Sequence, residues 1–158
     1  MRFYEDIVIG DKRAVGSHTF TAPDIKTFAA RFDPQLFHMD EEAAARSHYG
    51  RLIASGWHTA AVHMRLLVLH HRRLDAESAA RGEKSARVGP SPGFKNLKWL
   101  KPVYVGDTIT FGGEIIEKRE SGSRTGWGII RGRNYGTNQN GELVFEFESA
   151  AFVEMRGK

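Results

Sequence analysis

The densest group of chemically capable side chains in this sequence is Asp33-Pro34-Gln35-Leu36-Phe37-His38-Met39-Asp40. Pro34 works against a regular helix through the segment. A carboxylate and an imidazole five residues apart in an irregular segment can converge on one point. Such a pair can manage a water: one group removes its proton while the other orients or protonates the reacting centre. The same residues also admit a structural role, with Asp33 capping or turning the chain and His38 as its partner. Asp40 fits better as the N-cap of the EEAAARS segment that follows than as a third catalytic group.

A second candidate is Leu52-Ile-Ala-Ser-Gly-Trp-His-Thr59, where small residues lead directly into a long apolar helix. Free backbone N–H groups at a helix N-terminus form an anion site and a potential oxyanion hole. Gly56 admits close approach by a carbonyl oxygen, and also suits tight packing at the helix start. Ser55 reads first as an N-cap, and His58 as a packed histidine. The other histidines show no metal signature, because His58 and His63 are five apart and His70 and His71 adjacent, neither being the i, i+4 spacing of a helical zinc site. No G-x-S-x-G elbow and no Gly-rich phosphate loop occurs. Gly112-Gly113, inside a strand pattern, suggests a bulge.

The elements that must position these residues fall into two regimes. The first 90 residues are mostly helical in pattern and the last 65 read as strands. Residues 13–20 predict a strand. Thr21-Ala-Pro-Asp24 is a capping box for a short helix with Ile25, Phe28 and Ala29 on one face. Residues 33–39 break the helical pattern, and Gly50 to Gly56 is a loop. From Trp57 to about Leu74 apolar residues cover most of the circumference, which predicts a helix buried on several sides. Residues 75–93 read as a long loop or mobile flap. Strands are then expected at 94–101, 108–118 (Ile109, Phe111 and Ile115 on one side), 126–136 (Trp127, Ile129 and Tyr135 on one face) and 143–153. The turns are Val105-Gly106-Asp107, Glu120-Ser121-Gly122-Ser123 and Asn138-Gln139-Asn140-Gly141. The layout is α+β, and 158 residues suit a single domain over 1–158.

Composition limits the options further. The absence of cysteine removes disulfides and thiolate chemistry. No signal-peptide h-region or stretch of transmembrane length occurs, so a cytoplasmic protein without a membrane partner is expected. Net charge is +4, and residues 65–101 hold nine Lys or Arg against three acids. Such a patch suits an anionic ligand such as nucleic acid or the phosphates of coenzyme A, or it is simply a solvated surface. It is not interleaved with aromatics in a nucleic-acid-binding motif, so no nucleic-acid partner is expected.

These motifs together resemble the MaoC-like dehydratases, the (R)-specific enoyl-CoA hydratase branch of the hotdog fold. The family's hydratase motif D-x-N-P-x-H-x-D is similar to D-P-Q-L-F-H-M-D at Asp33–Asp40. The spacing of Asp, His and second Asp is kept, Pro is moved beside Asp33, and Gln35 stands where the family often has Asn. Gly50-Arg-Leu-Ile-Ala-Ser-Gly-Trp-His-Thr59 is similar to the family's entry into the central helix. Leu97-Lys-Trp-Leu-Lys-Pro-Val-Tyr-Val-Gly-Asp107 is similar to its strand and turn ending in P-V-x-x-G-D. The match covers most of residues 20–118.

The resemblance implies a hotdog fold, with a central helix at about 56–73 wrapped by an antiparallel sheet. It implies syn addition of water to a 2-enoyl thioester, giving an (R)-3-hydroxyacyl product. Asp33 and His38 would activate the water, and the Gly56 N–H would stabilise the enolate-like oxygen. Ser55, Trp57, Lys95 and Lys98 are the candidate substrate contacts. No metal or redox cofactor would be needed, with coenzyme A entering as part of the substrate. The partners would be an acyl-CoA or acyl-carrier-bound thioester and a second copy of the chain, as a homodimer or dimer of dimers. Within the same fold, a thioesterase and a non-catalytic acyl-CoA-binding or regulatory protein are the alternatives.

Overall fold

A computed structural model describes residues 1–157. Strand β1 (Lys12–Thr19) leads into helix α1 (Ala22–Phe32), followed by the short helices α2 (Leu36–Met39) and α3 (Glu41–Arg46) and the long helix α4 (Gly56–Ala80). Strands β2 (Phe94–Trp99), β3 (Thr108–Glu120), β4 (Trp127–Thr137) and β5 (Leu143–Glu154) complete the chain. The strands form one antiparallel sheet in the order β1-β3-β4-β5-β2. The sheet wraps one side of α4, which is the hotdog arrangement of an α+β fold. Among the described residues no helix is long and apolar enough to cross a membrane.

Local chemistry sets the helix starts. Thr21 caps α1 by accepting the Asp24 N–H, and Asp40 caps α3 by accepting the Ala43 N–H at 2.7 Å. The segment 33–39 is less irregular than its sequence suggests, because Leu36–Met39 closes one helical turn beyond Pro34. Helix α4 also runs six residues past Leu74. The segment Asp75-Ala-Glu-Ser-Ala-Ala80 favours helix, and the stop comes only at Gly82. There φ is +72°, and the N–H groups of Gly82 and Glu83 return to the carbonyls of Ala79 and Ser78, a Schellman closure.

The remainder of the expected flap is strapped down. The Ala86 N–H bonds the Met1 carbonyl, Gly89 bonds Phe152, and the Glu154 N–H bonds the Arg87 carbonyl. Val88 bridges Val153, and the Arg87 guanidinium grips Glu154 at 2.7 and 2.9 Å. Backbone pairing that sequence periodicity does not register makes this segment a margin of the sheet.

Two faces also differ from expectation. Helix α4 buries one side, and Met64, Val68 and Leu69 stay 52%, 41% and 44% exposed, because a single sheet covers only one side of a helix. On β4, Trp127, Ile129 and Tyr135 share a face as expected, but it is the outer one. The inner face is Gly128, Ile130, Gly132, Asn134 and Gly136. A Cβ at Gly128 would lie 2.0 Å from the Tyr4 ring, so the packing leaves room only for glycine. A bulge does fall beside Gly112, but on β1: Ala14 pairs with Gly112 and Gly16 with Phe111, leaving Val15 as the extra residue, and a second irregularity falls near Ile116. The two glycines also make room for the Tyr135 ring and the Arg13 guanidinium.

His63 lies fully buried on α4 among Phe111, Phe145 and Phe147, with neither ring nitrogen bonded among the described residues. Burial first, then Arg13, holds its pKa down to about 4. The folded state therefore resists a proton that the unfolded chain accepts near pH 6.5. Stability from this residue is full above that pH and is lost as pH falls towards about 4. His63→Leu is expected to stabilise the protein by about 1–3 kcal/mol. It should also flatten the loss of stability between pH 6.5 and 4.5, measured by urea unfolding.

Candidate active site

Pro34 stops α1 at Phe32 and leaves Asp33 at its C-cap (φ −157°, ψ 69°), turned out of the helix. One turn later His38 is carried into the interior on α2 and is 4% exposed. Its Nδ1 donates to the Ile53 carbonyl oxygen at 2.8 Å. That bond sets the ring so that Nε2 faces Asp33 Oδ2 at 3.4 Å. The carboxylate is held from both sides, with Ser55 Oγ donating to Oδ2 at 2.7 Å and Gln35 Nε2 donating to Oδ1 at 2.8 Å. Burial works to raise the Asp33 pKa, but the Ser55 and Gln35 hydrogen bonds and the neighbouring His38 outweigh it and hold the carboxyl below its usual range.

Ser55 has two roles. Its Oγ caps α4 by accepting the Trp57 N–H at 3.2 Å while its O–H steadies Asp33. Gly56 is the first residue of α4, where an N–H has no carbonyl partner inside the helix. The Trp99 indole lies so close that a Cβ at Gly56 would stand 2.5 Å from Nε1 and Cε2. Trp99 in turn meets Trp57 edge-on, with ring centroids 5.1 Å apart.

Asp33, His38, Ser55, Gly56 and Trp57 thus line one cavity of about 420 Å³, together with Gln35, Tyr49, Thr59, Trp99, Lys101 and Val103 among others. Lys95 and Lys98 lie elsewhere, on the edge strand β2, where Lys95 pairs with Glu148 at 3.3 Å and Lys98 with Glu146 at 3.5 Å. Lys101 is the basic residue of that stretch that reaches the cavity, and it is paired with Glu142. Gln35 and Trp99 carry little signal of their own in sequence. The position of Gln35 inside the Asp–His segment was the available clue for one, and the P-V-x-x-G-D segment just beyond Trp99 for the other.

Removing the Ser55 hydroxyl takes one of the hydrogen bonds that stabilise ionised Asp33. Ser55→Ala is therefore expected to raise the Asp33 pKa and move the acidic limb of any Asp33-dependent activity to higher pH. Loss of the cap should also cost about 1 kcal/mol of stability. A pH–rate profile and a melt check the two effects separately.

The sequence matches the MaoC like domain over residues 7–127. The chain belongs to the MaoC-like family. A MaoC-like dehydratase from Rhodospirillum rubrum is 34% identical, with both chains covered over 100% of their length and a TM-score of 0.81. The (R)-hydratase of A. caviae, involved in PHA biosynthesis, shares the fold at 24% identity and a TM-score of 0.68, covering 96% of this chain and 99% of its own. The protein YdeM of Bacillus subtilis is 27% identical over 95% of this chain and 97% of its own. In this MaoC-like domain a carboxylate, an imidazole and a helix N-terminus stand around one cavity.

Proposed function

We propose that this protein is an (R)-specific enoyl-CoA hydratase, or in reverse a 3-hydroxyacyl-thioester dehydratase. One observation carries the reading: Asp33 Oδ2 and His38 Nε2 stand 3.4 Å apart in the cavity that also holds the N-terminus of α4. With Nδ1 donating to Ile53, His38 turns Nε2 towards ionised Asp33. A water beside the pair can donate a hydrogen to Asp33 and present its oxygen to C3 of a 2-enoyl thioester.

As the C3–O bond forms, Asp33 takes the proton and charge develops on the thioester oxygen. The Gly56 N–H and the helix terminus stabilise that charge. The pair then returns a proton to C2 on the same face, which is syn addition. The balance is water plus alkene giving alcohol, with coenzyme A serving only as part of the substrate.

The exposed apolar residues suit a homodimer. Trp57, Met64 and Val68 form a stripe on α4, and Phe94, Trp99 and Leu100 stand on or beside the edge strand β2, all six at least 41% exposed. An exposed apolar patch of this kind is typical of an interface.

A panel of enoyl-CoA substrates of varied length and branching, beginning with crotonyl-CoA, tests the activity through loss of the conjugated thioester absorbance. Hydration that disappears in His38→Ala supports the proposal. Stoichiometric acyl-CoA binding with no hydration would assign a binding protein instead, and free CoA released from a saturated acyl-CoA would assign a thioesterase.

A further inference from the structure

The core is divided in two. One cluster includes Val15, Phe20, Phe111 and Phe145, and the other includes Tyr4, Ile7, Ile115, Ile130 and Val153. Between them a polar row crosses the inner face of the sheet, with Arg13 of β1 opposite Gly113 of β3, and Gly113 opposite Asn134 of β4. Arg13 Nη2 donates to Asn134 Oδ1 at 2.8 Å, and buried Asn134 donates onward to Ser149 Oγ at 2.9 Å. The guanidinium lies 3.0 Å from where a Cβ of Gly113 would be.

A guanidinium stays charged in proteins. Among the described residues, buried Arg13 Nε has no hydrogen-bond partner, and neither Arg13 nor Lys12 has a carboxylate within ion-pair distance. Both line a cavity of about 90 Å³ at the seam between the sheet and α4, with Arg2, His70, His71 and Asp11. Asp11 is already engaged, its Oδ2 accepting from Arg2 Nη2 at 2.8 Å and from the Val8 N–H at 2.9 Å. Arg13 is half-buried; a cation drawn partly out of water without a counter-ion is unfavourable, and a guanidinium fork matches two oxygens of one anion.

We propose that this cavity binds a small oxyanion, a carboxylate or inorganic phosphate, against Arg13, with Lys12 and the imidazoles of His70 and His71 around it. The site is separate from the Asp33–His38 cavity, since His70 lies fourteen residues along α4 from Gly56, roughly 21 Å at the helical rise. The anion would neutralise the polar row and lock the two halves of the core together.

Thermal unfolding of the whole protein, with phosphate, acetate or chloride titrated at fixed pH and ionic strength, tests this without reference to catalysis. The expected result is a saturable rise in Tm with phosphate or acetate, roughly 5–10 °C at a hundred times Kd, exceeding any rise with chloride. Phosphate alone would mark a phosphate site, and acetate alone a carboxylate site. The rise should vanish in Arg13→Gln. It should also vanish in Asn134→Asp, where a carboxylate of the same shape neutralises Arg13 from within and raises Tm in the absence of added anion. If Arg13→Gln does not fold, Asn134→Asp decides. No saturable rise in the natural protein, or one that persists in a folded variant, overturns the proposal.

Discussion

Asp33→Asn is expected to lower kcat for hydration of a 2-enoyl-CoA by about a thousandfold while leaving the protein folded. The amide cannot take a proton from water, so the general-base contribution is lost, and such contributions run about 10²–10⁴-fold. A thousandfold loss corresponds to about 4 kcal/mol of transition-state stabilisation. The amide still offers an oxygen to the Ser55 hydroxyl, which now bonds Asp33 at 2.7 Å. Stability should therefore change by only about 1–2 kcal/mol. Steady-state rates and thermal melts on the same preparations separate the two quantities. A variant within tenfold of the natural rate would remove Asp33 as the base.

Gly56→Ala should reduce kcat/KM by about a hundredfold, close to the loss of one oxyanion donor. The added Cβ would stand 2.5 Å from two atoms of the Trp99 indole, a contact that cannot persist. Trp99 is 44% exposed on an edge strand, so its ring can swing outward without unfolding the core. The displacement would disturb the helix start and the Trp57–Trp99 pair that lines the cavity, where the proposal places the thioester. If the clash is the cause, Trp99→Ala should restore part of the rate in the Gly56→Ala background, a coupling of about 1–2 kcal/mol in a double-mutant cycle. Natural kinetics in Gly56→Ala would show that the thioester oxygen is held elsewhere.

How much of the site was legible in the sequence depended on distance along the chain. Asp33 and His38 lie within one short segment, so the turn at Pro34 and one turn of α2 suffice to bring them together. Gly56 at the start of α4 was likewise a local reading. The Ser55–Asp33 bond spans 22 residues, and sequence suggested only the capping half of what Ser55 does. Trp99 reaches Gly56 from the edge strand β2, and nothing in the motif Leu97–Asp107 that contains it points to the helix start. Lys95 and Lys98 belong to a run of positive charge that sequence alone leaves without partners. Their acids, Glu148 and Glu146, sit on β5 and meet them only through sheet pairing.

By itself the sequence determined most element types, though not the helical turn at 36–39 or the end of α4 at 75–80, together with the caps at Thr21, Asp40 and Ser55 and the grouping of Asp33 and His38, because these follow from periodicity and from contacts within a few residues. Only the tertiary structure decided which face of α4 and of β4 is inward, what ties down the strap at 81–93, and why Gly112, Gly113 and Gly128 are glycines. Those outcomes depend on side chains from distant segments competing for the same volume. The chemistry of FDPQLFHMD is written locally, but its carboxylate is held ready by a serine that only folding brings within reach.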